Sequence, residues 1–152
     1  MIFSEDVLIR TAIFVLASCG FLVAKHIYKH KKANQKPLVC PIRFDCNAVV
    51  HSDYSKLFGV PLEVFGMLYY CLISFSYLFL VFMPSAMPAF LINLLIGLSC
   101  FAFLFSVYLI SVQIFILKKG CSWCIVSAFI SMIIFILTIT HYHVSDVLGL
   151  FN

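Results

Sequence analysis

Polar residues interrupt this chain in blocks instead of alternating along it. No Asp, Glu, Lys or Arg occurs from Val64 to Leu117, and none from Gly120 to Ser145. An earlier apolar run covers about residues 7–28, broken by Arg10, Lys25 and His26. A helix that crosses a bilayer needs about 20 predominantly apolar residues and satisfies its own backbone N–H and C=O groups. Breaks at 29–59, 83–88 and 118–120 cut the apolar sequence into four such spans, about 7–28, 61–82, 89–117 and 122–141. Arg10 is placed to snorkel back to the headgroups. Pro61 stands at a first-turn position, where its missing N–H costs nothing. The expected fold class is an all-α membrane protein, a four-transmembrane-helix bundle with a cysteine-bearing loop and half-helix between helices 1 and 2. Residues 1–152 read as a single membrane domain.

The loop over 29–59 is the one extended polar segment. A half-helix is expected near Asn47 to Phe58, with Val49, Val50, Tyr54, Leu57 and Phe58 on its apolar side and Gly59 ending it. Glu63, at the mouth of the second span, should point to water or into the bundle, because a lipid-facing carboxylate is costly. Leu16–Cys19 has the form of a lipoprotein cleavage box. The acidic start at Glu5 and Asp6 lacks the positive n-region of a signal peptide, so an uncleaved span is the expectation.

Composition fits this reading: 64% of the residues are apolar and 11% charged, outside the range of an ordinary soluble domain. The net charge of +4 does not indicate nucleic acid. The basic residues flank spans and form no stripe with aromatics. All Lys and Arg except Arg10 lie on the loop side or at its interface, a bias that by itself assigns that side to the cytosol.

Cys19, Cys71 and Cys100 lie inside apolar runs, where a thiol acts as a small hydrophobe. Cys40 and Cys46 lie in the polar loop, and Cys121 and Cys124 open the fourth span. Counting crossings puts both pairs on one membrane face. A Cys-x-x-Cys pair at a helix start has a chemical rationale: unpaired N–H groups and the positive end of the helix dipole favour thiolate, the reactive form in disulfide exchange. Three uses of the four sulfurs compete. Zinc would take all four with His51 in reserve, although five residues separate Cys40 from Cys46, more than in a usual knuckle. Inert structural disulfides are the plainer use. A dithiol relay explains more, with electrons passing from the loop pair to the bilayer pair and on to a membrane-soluble two-electron acceptor, a quinone. Trp123 is either an interface anchor or a wall of the quinone pocket. His51, His141 and His143 read as solvated or packed, and the Phe and Tyr residues of spans two to four as bundle packing.

Cys40-Pro-Ile-Arg-Phe-Asp-Cys46, Ser52, Tyr54, Phe58-Gly59-Val60-Pro61, Phe65-Gly66 and Cys121-Ser-Trp-Cys124, in that order over nearly the whole chain, resemble the vitamin K epoxide reductase family in its bacterial form. The DsbB family, also four-helix and quinone-linked, carries its Cys-x-x-Cys before its loop pair. The resemblance implies a four-helix bundle around a quinone, ubiquinone or menaquinone. It implies that Cys40 exchanges with a thioredoxin-fold (DsbA-like) partner, that Cys46 attacks Cys121, and that Cys124 passes electrons to the quinone. Ser52 would have a supporting polar role. Many bacterial members carry a fused thioredoxin-like domain; here the partner is expected to be a separate protein. Where vertebrate members hold the quinone ketones with an asparagine and a tyrosine, this chain has Leu62 and Ala128, so an ordinary quinone is expected in place of vitamin K epoxide. The resemblance also places the cysteines on the extracytoplasmic face of a bacterial inner membrane, against the charge bias.

Overall fold

The computed structural model describes residues 2–33, 45–83, 85 and 88–150. Four long helices carry the fold: α1 (Ile2–Ala33), α3 (Leu62–Phe82), α4 (Ala89–Ser111) and α5 (Ser122–Leu150). A five-residue helix, α2 (Cys46–Val50), and a two-stranded hairpin, β1 (Lys56–Leu57) and β2 (Val60–Pro61), lie between α1 and α3. Four segments are long and apolar enough to cross a membrane: Glu5–Ala33, Leu62–Phe82, Ala89–Leu117 and Ser122–His143. The four spans expected from the sequence are therefore present.

The half-helix expected over Asn47 to Phe58 is present only as the short α2. It stops at Val50, and three reasons are local. Ser52 donates its hydroxyl to the Val49 carbonyl at 2.7 Å, and Ser55 repeats this to the Ser52 carbonyl at 2.7 Å, turning the backbone twice. Phe58 and Gly59 both take positive φ, 53° and 81°. Two consecutive residues of that kind make the tight turn whose twist suits a hairpin, and glycine takes it without strain. Leu57 then pairs with Val60 and Lys56 with Pro61.

Arg10 also departs from expectation. Instead of reaching the headgroups it donates Nη1 to the Leu80 carbonyl at 3.0 Å. That carbonyl belongs to the last turn of α3, where acceptors lack intrahelical partners and a cation is favoured by the dipole. Near the same end, His141 Nε2 lies 3.3 Å from Asp6.

α1 packs on α3 and α5, and α4 on α5, whereas α3 and α4 barely touch. Ile13, Ala17, Ile73, Leu80 and Ile134, all fully buried, form the core of the α1–α3–α5 contact. Two tyrosines of α3 fasten that core to α5: Tyr77 to Thr138 at 3.2 Å, and Tyr70 to the Ser127 carbonyl at 2.8 Å and to Ser127 Oγ and Ser131 Oγ at 2.9 and 3.0 Å.

Gly20 makes the Tyr70 contact possible. A Cβ there would stand 2.4 Å from Tyr70 Cε1. Alanine in a helix interior normally gains about 1 kcal/mol over glycine. Here the ring is 1% exposed and tied by its hydroxyl, so it has nowhere to go. Overpacking of this kind costs about 1–3 kcal/mol. Gly20→Ala is expected to lower the melting temperature of the protein in detergent; a raised one would show that the ring yields.

Candidate functional site

The connection from α4 to α5 is built to present one sulfur. After Ser111 the helix widens to a π-type turn over Val112–Leu117, and Lys118 ends it in the left-handed conformation, φ 51°. The Lys119 N–H returns to the Gln113 carbonyl at 3.2 Å. This carries the Gln113 side chain under the next segment, where its Oε1 accepts the Cys121 N–H at 3.2 Å. Both residues are buried, and an orphaned N–H at such a site costs about 1–3 kcal/mol. π-type turns are frequent at functional sites because they re-aim side chains in this manner.

Cys121 thereby becomes the N-cap of α5. Its carbonyl accepts the Ile125 N–H at 3.0 Å, and its Sγ accepts the Cys124 N–H at 3.3 Å. A sulfur in the place usually held by a serine or aspartate oxygen receives the orphan donors of a helix start. The hydrogen bond from the Cys124 thiol, with the Cys124 and Trp123 amides behind it, holds the Cys121 thiol below its ordinary pKa; burial and the Glu63 charge oppose this without reversing it. The sign follows directly: near neutral pH Cys121 carries more thiolate than a free cysteine, and that share grows as pH rises. Cys121 and Cys124 are both free thiols, whereas Cys46 is disulfide-bonded.

Cys46 and Cys121 meet in one apolar cluster with Ile27, Val49 and Val50; Trp123 and Cys124 pack against it. Cys46 is the first residue of α2, which Asp45 caps by accepting the Ala48 N–H on Oδ1 at 3.2 Å. The other oxygen of Asp45 meets Lys119 at 3.1 Å. The residue before Cys46 is thus tied to a residue two before Cys121. Both ends of this pair are about half exposed, so it is worth about 0–1 kcal/mol and serves alignment more than stability.

Behind the cysteines lies a cavity of about 360 Å³, within the range of small-molecule sites. Cys124 lines it, with Ser127, Ala128 and Ser131 farther along the same face of α5. α3 contributes Leu62 to Leu72 and α4 contributes Leu98 to Ile110, so the cavity occupies the gap where those helices fail to touch. Leu68, Leu72 and Phe101 are in its wall yet well exposed on the outer surface of the bundle. The opening is lateral, toward the place of the lipid.

The sequence model of the vitamin K epoxide reductase family matches residues 7–139. The chain belongs to the vitamin K epoxide reductase family. Membership makes it an integral membrane oxidoreductase of the quinone-linked thiol class, acting with a quinone and with thiol-redox partners. A comparison with the curated proteins found no match.

Set against the site residues expected of a vitamin K epoxide reductase family member, the structure brings Cys46, Cys121 and Cys124 together. Cys40 lies outside the described residues. Ser52 is in the cavity wall, its hydroxyl engaged with Val49. Trp123, expected as an anchor or a pocket wall, is not among the lining residues; its ring lies 4.8 Å from that of His26. Leu62 and Ala128 do line the cavity, and neither offers a hydrogen bond there. Sequence reasoning missed three features. Gln113 could have been noticed as one of two amide side chains in the third span. Tyr70, with Ser127 and Ser131, is a polar group in the wall that was read as packing. Lys31 and Glu63 form a buried ion pair that no spacing rule connects.

Proposed function

We propose that this protein reoxidises a thioredoxin-fold (DsbA-like) protein, separate from this chain, and delivers the electrons to ubiquinone or menaquinone. The partner's dithiol reduces the Cys40–Cys46 pair. The Cys46 thiolate then attacks Cys121 of the Cys121–Cys124 disulfide and releases Cys124, and Cys40 resolves the mixed disulfide. Two electrons now reside on Cys121 and Cys124 as thiols. They pass to the quinone, the Cys121–Cys124 disulfide re-forms, and quinol leaves.

One observation carries the reading: Cys124 lines a laterally open apolar cavity, while its neighbour Cys121, absent from that lining, is buried against Cys46. The pair thus touches both the cavity and the loop cysteine. The bound state of Cys46 beside free Cys121 and Cys124 corresponds to electrons waiting next to the cavity. A shared zinc site would need Cys46 as a thiolate ligand, which a disulfide-bonded sulfur is not. Leu62 and Ala128 favour an ordinary quinone over vitamin K epoxide, because neither can hold a ketone.

Trapping is the direct test. With Cys40→Ser and Cys124→Ser combined, Cys46 and Cys121 are left without either thiol that could resolve a disulfide between them. A Cys46–Cys121 crosslink should accumulate and be visible by mass spectrometry of the oxidised protein. Its absence, with the protein folded, would sink the relay. We place the cysteine end on the extracytoplasmic face of a bacterial inner membrane, because disulfide formation needs an oxidising compartment. After reduction, a membrane-impermeant maleimide should label the loop cysteines in intact cells; labelling only after lysis would reverse the orientation.

A further inference from the structure

Lys31 and Glu63 form an ion pair whose carboxylate partner, Glu63, lines the cavity. Lys31 Nζ lies 3.2 and 3.4 Å from the two Glu63 oxygens, 3.1 Å from Ser55 Oγ and 3.5 Å from the Ser55 carbonyl. The two charged side chains are only 10% and 9% exposed. A buried pair of this kind is weak evidence for stability, since desolvation offsets much of the attraction, and an ionisable residue in a membrane span points first to function. Among the described residues, Glu63 is the only charged side chain in the cavity wall, which it shares with Cys124. Lys31, on the last turns of α1 among Lys29, His30 and Lys32, connects it to the polar end of the bundle.

We propose that Lys31 and Glu63 are a proton relay into the cavity, with Glu63 handing a proton to one oxygen of the quinone as it becomes quinol. The inference rests on the quinone reading above and adds the route of one proton. Quinone reduction consumes two electrons and two protons. Oxidation of Cys124 as thiol and Cys121 as thiolate to the disulfide releases two electrons and one proton. The missing proton is the one Cys121 gave to water beforehand, so it must return from water to an apolar site whose opening faces lipid. A proton from the aqueous side reaches Glu63 beside the Lys31 ammonium that holds it, and Glu63 passes that proton to the quinone oxygen, returning to the carboxylate that pairs with Lys31. Among the described residues, the other titratable groups near Glu63 are Cys121 and Cys124 at the start of α5, with Tyr54, Tyr69 and Tyr70 in the same wall; α4 supplies no titratable side chain to it.

The test uses the purified full-length protein in detergent, ubiquinone-1 as acceptor and dithiothreitol as donor. Glu63→Gln should slow quinol formation by about ten-fold or more at pH 8, within the usual range for loss of a positioned proton donor, and by less at pH 6, where water supplies protons more readily. Lys31→Met should show the same pH-weighted loss, and Glu63→Asp should recover part of the rate. Alkylation of Cys121 by iodoacetamide should be at least as fast in Glu63→Gln as in wild type, since the carboxylate opposes thiolate formation there. A Glu63→Gln protein with the wild-type rate and pH profile overturns the relay. So does a loss equal at all pH values and unrelieved by Asp, which marks a purely structural pair. A wild-type protein that leaves ubiquinone-1 unreduced removes the quinone reading and this one with it.

Discussion

Replacing Cys124 by alanine is expected to abolish quinone reduction, a loss of about a thousand-fold or more, as for removal of a reacting group. The reason is stoichiometric. Quinol formation draws two electrons from a dithiol that closes to a disulfide, and Cys121 alone cannot close one. The fold should tolerate the change, because the hydrogen bond that Cys124 gives Cys121 Sγ along the helix start comes from its backbone N–H. What Cys121 loses is the hydrogen bond from the Cys124 thiol, the largest cause of its lowered pKa. Its alkylation should therefore persist with a pH midpoint moved upward, toward that of an ordinary thiol. Quinol formation by Cys124→Ala at a rate near wild type would mean that the electrons leave from another atom. An unchanged alkylation midpoint would mean that the backbone donors alone hold the thiolate.

The four spans and the meeting of the two cysteine segments were legible in the sequence, because both follow from lengths. Apolar runs this long permit no other secondary structure in a bilayer, and an even number of crossings returns the chain to one face. The half-helix was misjudged for a reason that propensity does not capture. Val49, Val50, Tyr54 and Leu57 fit an amphipathic pattern, but Ser52 and Ser55 turn their hydroxyls onto the backbone, and Phe58 with Gly59 takes a left-handed turn. Such local side-chain bonds compete with a helix and win where few turns are at stake. Arg10 was read by its length, as a snorkelling residue, whereas the unpaired carbonyl at Leu80 was an acceptor no pattern could locate. Gln113, Lys31 and Glu63 act through partners 8 and 32 residues away. Pairings set by the meeting of elements do not appear in periodicity.

Cys46→Ala separates the two halves of the proposed relay. Cys121 is fully buried and Cys46 is 1% exposed beside it, so a folded protein cannot bring its own sulfur to Cys121. Only a residue on the short loop that packs there can. Removing the Cys46 sulfur should therefore end electron transfer from a thioredoxin-fold dithiol, by about a hundred-fold or more given the steep cost of misplacing a reactant. Dithiothreitol is small, and the alanine leaves a gap at the place where the Cys46 sulfur packed. Quinone reduction with dithiothreitol as donor should stay within a small factor of wild type. The contrast between the two donors is the diagnostic quantity, because a merely destabilised variant would lose both in parallel. If the protein donor still works at full rate, Cys121 is reached by a movement of the loop that the packing around Val49 and Val50 does not suggest, and Cys46 is a staple instead of a carrier.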